Sequence, residues 1–309
     1  MTARITLALL VIVPAAMAQP WRTTTQQVVL GVAVAVVVLA FAWWRGAFLT
    51  TRTARRFAVW QRNRDTSDPK PVAAVSVLLT VDEGAGGALP LDLLAGHVER
   101  YGVRCAKVRV TNLDAAGTRR TYVGLTLRAE DNLAALRARS ASLPLYDTAE
   151  VLGRRLVDQL RELGFEASIT DAAEGPWTAR ATETWRGMRD AAGYLVAYGI
   201  PVDDHLGDRL AHVWSYTNRG TWSALEFRGS ATSLTVSAVC AVRSDEAPGA
   251  VPVPGLRVLD GRQKPLLTAL DPRSVEPLDV PAVPLPAGLL RRIVWPAGAA
   301  REVGAHARG

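Results

Sequence analysis

The residues that could do chemistry in this sequence are few and poorly grouped. Asp203, Asp204 and His205 are adjacent in "PVDDHLGD", and His212 lies seven residues after His205. A metal site needs three or four converging ligands. The first three residues stand in a proline-flanked turn, and His212 stands in a run that we predict as a strand. We therefore expect surface polar residues here, and no metal or cofactor.

A second candidate is the glycine-rich loop "DEGAGGA" at residues 82–88, between a predicted strand and a predicted helix, where phosphate sites occur. The loop has no lysine, and the carboxylates of Asp82 and Glu83 would repel phosphate. Cys105 and Cys240 stand in strand-like runs, without a C-x-x-C pair or a histidine at metal spacing. We expect a plain loop and two small core side chains.

The net charge of +7 comes from the N-terminal segment. Residues 1–64 hold eight arginines and no acidic residue, whereas residues 65–309 hold 28 basic residues against 29 acidic ones. A nucleic-acid-binding domain carries its basic surface on the folded body. The distribution therefore argues against a nucleic-acid partner.

Two apolar runs in this basic segment predict a transmembrane hairpin. Residues 5–18 are apolar but short, and residues 28–44 are apolar and uncharged. As a helix, the second run spans about 26 Å at ~1.5 Å per residue, close to the ~30 Å of a bilayer core. The first run is also typical of a cleaved signal peptide, because "AMA" precedes Gln19. Both alternatives return the chain to the cytoplasmic side.

Tryptophans and arginines near the ends of these runs predict the orientation. Tryptophan rings favour headgroup depth, and arginines favour the cytoplasmic side next to anionic lipid. We therefore expect a plasma-membrane protein with two spans and a cytoplasmic C-terminal domain. Gly31 and Ala35 lie four residues apart in the second run, a spacing that lets another helix pack closely. The predicted membrane-anchoring residues are Trp21, Trp43, Trp44, Arg45, Arg52, Arg55 and Arg56.

Residues 51–64 predict a helix with Phe57 and Trp60 on one side and arginines around the rest. Such a helix can lie in the plane of the membrane interface. A solvated linker helix is the alternative. The prolines of "DTSDPKP", residues 65–71, end the helix, and a folded domain begins after them.

The remaining chain predicts an α+β domain that begins with the ferredoxin-like order βαββαβ and continues with mostly antiparallel strands. The helix of the first half that stands out is residues 148–163, with Asp147 as its predicted cap. Four strand-like runs follow between residues 190 and 243, and "DRLAHVWSYT" is one of them. The predicted domains are residues 1–45 (transmembrane hairpin), 46–71 (basic juxtamembrane helix and linker), 72–285 (cytoplasmic α+β domain) and 286–309 (C-terminal tail).

The stretch "TETWRGMRD", residues 182–190, places Trp185 beside Arg186 and Arg189. A buried tryptophan with solvated arginines is one interpretation. A protein contact is the other, because tryptophan and arginine often anchor interfaces.

Four stretches resemble one known family. "PWRTTT", "FAWWRG", "TARRFAVWQRN" and "TETWRG" are similar to the EccE component of the actinobacterial type VII, or ESX, secretion membrane complex. The resemblance covers the whole chain, and "PWRTTT" is most similar to the third, iron- and siderophore-linked ESX system. It implies a structural subunit of the inner-membrane core beside the EccB, EccC (motor ATPase) and EccD components. It carries no catalytic residue over to this sequence.

The competing class is a membrane-anchored enzyme, such as a transferase acting on a lipid-linked substrate. Such a site usually needs an acidic pair beside a strand, and Asp203–Asp204 is the only adjacent aspartate pair in the sequence. Asp171 and Glu183 could also converge in space. Nucleotide or metal bound to the purified domain would favour the enzyme, whereas co-purification with a multi-subunit complex would favour the scaffold.

Overall fold

The computed structural model describes Thr24, Val28 and residues 43–44, 47–64, 74–85, 87–140, 142, 144–177, 181–216, 219–247 and 249–299. The chain divides into two compact units, Met1–Thr66 and Ser67–Gly309. The second unit is called the body.

In the first unit, strand β1 (Trp43–Trp44) pairs antiparallel with β2 (Ala47–Phe48), and helix α1 (Leu49–Arg64) follows at once. The two tryptophans therefore lie in a strand, whereas the sequence predicted the end of a helix. Residues 5–18, and most of residues 28–44, lie outside the described residues. Among the helices within the described ranges, none is both long and apolar enough to cross a bilayer.

The first half of the body has two helices and four strands in the order β-α-β-β-α-β, with a short strand, a 3-10 turn and a further helix between them. Its strands lie side by side in the order β7-β3-β6-β5, and each pair is antiparallel. The elements are β3 (Ala74–Glu83), α2 (Leu91–Gly96), β4 (Glu99–Arg100), β5 (Val103–Ala115), β6 (Thr118–Arg128), the 3-10 turn Glu130–Asn132, α3 (Leu133–Arg139), α4 (Leu145–Glu162) and β7 (Glu166–Ile169).

The second half supplies the rest of the same sheet. The elements are β8 (Thr182–Glu183), β9 (Met188–Asp190), β10 (Gly193–Gly199), α5 (Leu206–Ser215), β11 (Gly220–Ser230), β12 (Ser233–Ser244), β13 (Arg257–Val258), α6 (Gln263–Leu270), β14 (Val283–Pro284), α7 (Leu289–Arg292) and β15 (Gly298–Ala299). Among the described pairings, β15–β3 is the parallel one. The α+β class with a mostly antiparallel sheet is therefore confirmed.

The two halves repeat one arrangement. In the first, strand β3, helix α2 and hairpin β5–β6 give the sheet order β3-β6-β5; in the second, β10, α5 and β11–β12 give β10-β12-β11. The halves meet where β5 pairs antiparallel with β11. In the central strand order β3-β6-β5-β11-β12-β10, strand β3 is equivalent to β10, β6 to β12 and β5 to β11. The two halves are therefore related by an approximate two-fold axis between β5 and β11.

Both faces of the sheet are packed. Helices α2, α4 and α5 bury apolar residues in one large cluster, together with Val108, Val110 and Cys240. A smaller cluster contains Ala241 and helix α6. Because neighbouring residues of a strand point to opposite faces, the clusters lie on opposite sides of the sheet, and α6 covers the side that the other three helices leave open.

Helix α5 corrects one sequence prediction. Residues 208–217 were predicted as a strand, because Val213, Trp214 and Tyr216 favour strands. The structure makes Leu206–Ser215 a helix, and Leu206, Leu210 and Val213 are buried along one side of it. Their spacing of four and then three is the helical period, which here outweighs strand propensity.

Helix α4 begins earlier than predicted. It starts at Leu145 with Pro144 at the N-cap position, and no side chain caps it. Asp147 therefore lies within the first turn. Its negative charge interacts favourably with the helix dipole there, and its side chain does not act as a cap. The end is as predicted, since Gly164 follows with φ of 87°.

The C-terminal segment belongs to the body. The sequence predicted a tail from residue 286, whereas α7 lies at Leu289–Arg292 and Trp295 is fully buried. The Trp295 carbonyl accepts from Leu89 N at 2.9 Å, and Ala299 pairs with Glu83 in the sheet. The described residues of this segment therefore pack against both halves of the body, since Trp295 also contacts Trp214 of α5 at 5.2 Å between ring centroids.

Candidate functional site

Four of the nine predicted site residues, Trp21, Gly31, Ala35 and Arg45, lie outside the described residues. Trp43 and Trp44 lie in β1, and Arg52, Arg55 and Arg56 lie in α1.

Helix α1 presents aromatic and basic groups together. The Phe57 and Trp60 ring centroids are 5.4 Å apart, and both side chains are exposed. Arg56 is exposed and Arg55 is half-buried. An exposed aromatic pair on a basic helix has the composition of a helix that lies at a membrane interface.

The acidic pair at the start of α5 is engaged by arginines. Asp203 accepts from Arg209 Nη1 at 2.7 Å and from His205 N at 2.9 Å, and Asp204 accepts from Arg292 Nη2 at 2.7 Å. The hydrogen bond from Arg209 holds the pKa of Asp203 below its usual value. These carboxylates therefore act as ion-pair partners that join α5 to its neighbours. His212 is exposed on α5, in a helix rather than the predicted strand.

Within the described part of the chain, no three histidine, cysteine or acidic side chains are grouped as metal ligands. Cys105 and Cys240 are buried free thiols. Burial raises the pKa of Cys105 to about 12 and raises the pKa of Cys240 as well. Because the thiolate is the reactive form, both cysteines are unreactive core residues.

A buried ion pair joins the two halves of the sheet. Arg109 on β5 lies directly opposite Glu226 on β11, and their side chains are 3% and 0% exposed. Arg109 Nη2 and Nε donate to Glu226 Oε2 at 2.6 and 3.0 Å. Arg228 Nε also lies 3.3 Å from Glu226 Oε1. Loss of Arg109 or Glu226 would still leave a buried charge without its main partner, which is strongly destabilising. We call Arg109 and Glu226 the seam pair.

The seam pair also holds the segment after α6. Leu278 N donates to Glu226 Oε1 at 3.1 Å, and Arg109 Nη2 donates to the Glu276 carbonyl at 2.7 Å. Arg109 Nη1 donates to the Ala269 carbonyl. The charges are therefore satisfied by backbone groups that fix residues 269–278 on this face of the sheet.

Lys107 continues the same network on β5. Its Nζ is buried and donates to the carbonyls of Ser274, at 2.6 Å, and Glu276. Burial, and secondarily the charge of Arg109, lower the pKa of Lys107 to about 6. A neutral, buried amine can serve as a base in an enzyme, but here its hydrogen bonds go to the backbone of a loop.

Asn112 ties the C-terminal segment to the other face of the sheet. Its Oδ1 accepts from Trp295 Nε1 at 2.9 Å and from Thr121 Oγ1 at 2.8 Å, and its Nδ2 donates to the Pro296 carbonyl at 2.9 Å. The fully buried amide therefore uses both of its ends to hold Trp295 and Pro296.

Glu183, from the "TETWRG" stretch, acts at the start of α6. Its Oε1 accepts from Gln263 N at 3.0 Å and from Lys264 N at 3.1 Å, so it caps the unpaired N–H groups of that helix. Gln263 in turn bonds the N–H and the carbonyl of Ala197 on β10. Trp185, in the same stretch, is partly buried.

Sequence reasoning missed the seam pair, Lys107 and Asn112. A signal was present for the charged residues, because Lys107 and Arg109 alternate with apolar residues in "CAKVRVTNL". Such alternation is typical of a strand with one solvated face. The structure instead covers that face with residues 269–278, whereas Asn112 lies on the opposite face under Trp295 and Pro296. Together these polar groups build and brace a sheet.

Comparison with known proteins identifies the family. Residues 115–200 match the model of the EccE family, described as a type VII ESX secretion system translocon. The chain is 49% identical over 290 residues to "ESX-3 secretion system protein EccE3" of Mycolicibacterium smegmatis, with 93% of each chain covered. It is 45% identical over 313 residues to the protein of the same name from Mycobacterium tuberculosis, with 98% of this chain and 93% of that one covered. This chain therefore belongs to the EccE family of type VII (ESX) secretion system components.

Proposed function

We propose that the chain is a structural, non-catalytic subunit of an ESX inner-membrane complex. The observation that carries this proposal is that the titratable side chains considered as catalytic candidates form structural contacts in the body. Asp203 and Asp204 bind arginines, Glu183 caps a helix, and Lys107 holds a loop. Each has a structural task in the body, and relatives of matching length carry the name of a secretion component.

The proposal includes a membrane anchor. The two apolar runs within residues 1–45 form a two-helix hairpin that ends before β1. The basic helix after it contacts anionic headgroups through Arg52, Arg55 and Arg56, and the body lies in the cytoplasm with a ferredoxin-like first half. The arginine asymmetry of the sequence and the exposed Phe57–Trp60 pair support this arrangement.

The proposed partners are the EccB, EccC and EccD components and membrane lipid, and Gly31 and Ala35 supply the helix-packing face. The relatives are named for the ESX-3 system. Together with the resemblance in "PWRTTT", this leads us to propose support of small-protein export and of siderophore-mediated iron acquisition. The proposed support of iron acquisition is tested by growth on low iron of a strain that lacks the native copy and expresses this chain.

The test changes the packing face of the second apolar run. Gly31→Leu with Ala35→Leu adds bulk where close helix approach is proposed, so co-purification with the complex and export of substrates should both fall. Ala33→Leu with Ala40→Leu adds similar bulk on the opposite side of that helix and should leave both unchanged. A triple change of Arg52, Arg55 and Arg56 to glutamate should also weaken assembly.

Two results would defeat the proposal. One is loss of export after a single alanine change at Asp203, Asp204, His205 or His212 while the complex stays assembled, which would revive the enzyme. The other concerns topology: a reporter fused after Gly309 should be active inside the cell, and activity outside would contradict a cytoplasmic body.

A further inference from the structure

A strained turn displays one aromatic side chain. Strands β4 and β5 are joined by Tyr101 and Gly102, whose φ angles are 56° and 70°. Two-residue turns with positive φ at both central positions favour asparagine and glycine, and a tyrosine at the first position is disfavoured. A residue held in such a conformation persists where its surroundings enforce it, often at functional sites.

A matched turn in the same sheet shows that the fold does not require the aromatic ring. Strands β5 and β6 are joined by Ala116 and Gly117, with φ of 51° and 76°. Alanine occupies the position that tyrosine occupies in the first turn. The bulk of Tyr101 therefore has to be explained by what its side chain contacts.

The Tyr101 side chain is fixed at the surface. It is 43% exposed, and its hydroxyl accepts from Gln159 Nε2 at 2.8 Å. The guanidinium carbons of Arg155 and Arg100 lie 4.6 and 5.2 Å from the ring centroid. Cation–π contacts at such distances order both the ring and the guanidinium groups. The result is a preformed cluster of one aromatic and two cationic groups.

Helix α4 extends this cluster into a ridge. Val151, Arg155, Gln159 and Leu163 recur at four-residue spacing, which forms a row along one side of a helix. Val151 is 48% exposed and Leu163 is 50% exposed, although both are apolar. The surface therefore offers apolar area on both sides of the charged and aromatic centre.

The two guanidinium groups of the cluster can accept a carboxylate partner. Among the described residues, neither Arg100 nor Arg155 forms an ion pair, whereas the adjacent Arg154 pairs with Glu150 at 2.6 Å. A planar guanidinium binds carboxylates with two parallel hydrogen bonds. The cluster is therefore complementary to carboxylate groups.

The charge balance of α4 favours a protein over a lipid surface. The helix contains four acidic residues and three arginines. Attraction to an anionic membrane needs an excess of cations over a wide surface, and this helix has none. Tyrosine and arginine flanked by apolar side chains are the residues that anchor protein interfaces.

We propose that Tyr101, Arg100 and the α4 ridge of Val151, Arg155, Gln159 and Leu163 bind an acidic peptide segment of another protein subunit. Carboxylates of the segment pair with Arg100 and Arg155, and its apolar side chains cover Val151 and Leu163. The proposal deepens the scaffold function and rests on it for the expectation that the occupant is a fellow subunit.

The test uses the full-length chain in cells that lack the native copy, with a photo-crosslinking amino acid at Val151. Val258 on β13, which is 50% exposed, is the matched background position. We expect capture at Val151 of a protein segment that carries at least two acidic residues. Arg155→Glu and Tyr101→Ala should each lower the yield about tenfold, as loss of an interface anchor does. Arg137→Glu, an equal charge change at an exposed arginine of α3, should not.

Charge exchange gives the decisive result. Changing the acidic residues of the captured segment to lysine should restore its capture by the Arg155→Glu variant. Capture of phospholipid, a segment without acidic residues, equal yields at Val151 and Val258, or a yield indifferent to both Arg155→Glu and Arg100→Glu would each overturn the proposal. If the wild-type chain co-purifies with a complex while Val151 captures no acidic segment, this inference fails and the proposed function stands. A chain found in no complex defeats the proposed function instead.

Discussion

The two halves of the body use the same strand and helix order but stabilise it differently. In the first half, α2 and α4 pack on the face of the large core. In the second half, α5 packs on that face, and the later helix α6 packs on the other. The chain after β12 therefore returns to cover charged residues that belong to the first half, among them Lys107 and Arg109. The comparison teaches that neither half is complete without the other.

The largest effect should come from breaking the seam pair. Arg109→Met leaves Glu226 buried without its main cation, and loss of one partner of a buried pair costs about 3–5 kcal/mol of the free energy of unfolding. The double change Arg109→Met with Glu226→Leu should cost less, because the one charge that loses its partner, Arg228, is partly exposed to solvent. Urea unfolding of residues 67–309 measures both. A double variant as unstable as the single one would show that the hydrogen bonds to residues 269–278 matter more than charge pairing.

The next prediction compares the equivalent helices α2 and α5. Leu94 and Leu210 are fully buried on the same core face, so Leu94→Ala and Leu210→Ala should each cost about 2–5 kcal/mol. Ala211→Ser, at an exposed position of α5, is the control and should change stability little. Denaturant midpoints measure the three variants. A negligible cost for Leu210→Ala would contradict the packing of α5 in the second half.

Lys107 should give the body a specific pH dependence. Its pKa is lowered to about 6 by burial, whereas an unfolded lysine has a pKa of about 10.4. Between these values the unfolded state binds one more proton, so the free energy of unfolding should rise with pH, by about 1 kcal/mol per unit. Lys107→Met removes this contribution. Unfolding curves of the wild type and Lys107→Met at pH 7 and pH 9 measure how much the free energy of unfolding changes with pH in each protein. Equal changes in the two proteins would refute the prediction.

The smallest effect should distinguish the two long hairpins. The turn of the first, at Ala116–Gly117, has positive φ at both residues, whereas Ala231 in the turn of the second is not among the residues with positive φ. Ala116→Gly should therefore stabilise the body by up to about 1 kcal/mol, and Ala231→Gly should destabilise it slightly. Thermal unfolding of the two variants checks the opposite signs. Shifts in the same direction would mean that the turns are alike.

The sequence predicted those parts of the fold that local patterns determine. Alternating residues placed β5, β6, β11 and β12, because the strand period is a property of neighbouring residues. The motifs around residues 20–62 and 182–187 led to the family. The local pattern failed at α5, where β-branched and aromatic residues obscured a helical spacing of buried leucines.

The tertiary structure decided what faces the sheet. The charged strand residues Lys107 and Arg109 are buried because the segment after α6 folds back over them. Arg109 meets Glu226 at a separation of 117 residues, and Asn112 meets Trp295 at a separation of 183. The sequence by itself determined where the basic charge lies and which residues alternate, since both are local. Whether a charge or an amide is buried depends on partners that are distant in the sequence. Only the tertiary fold brings those partners into contact.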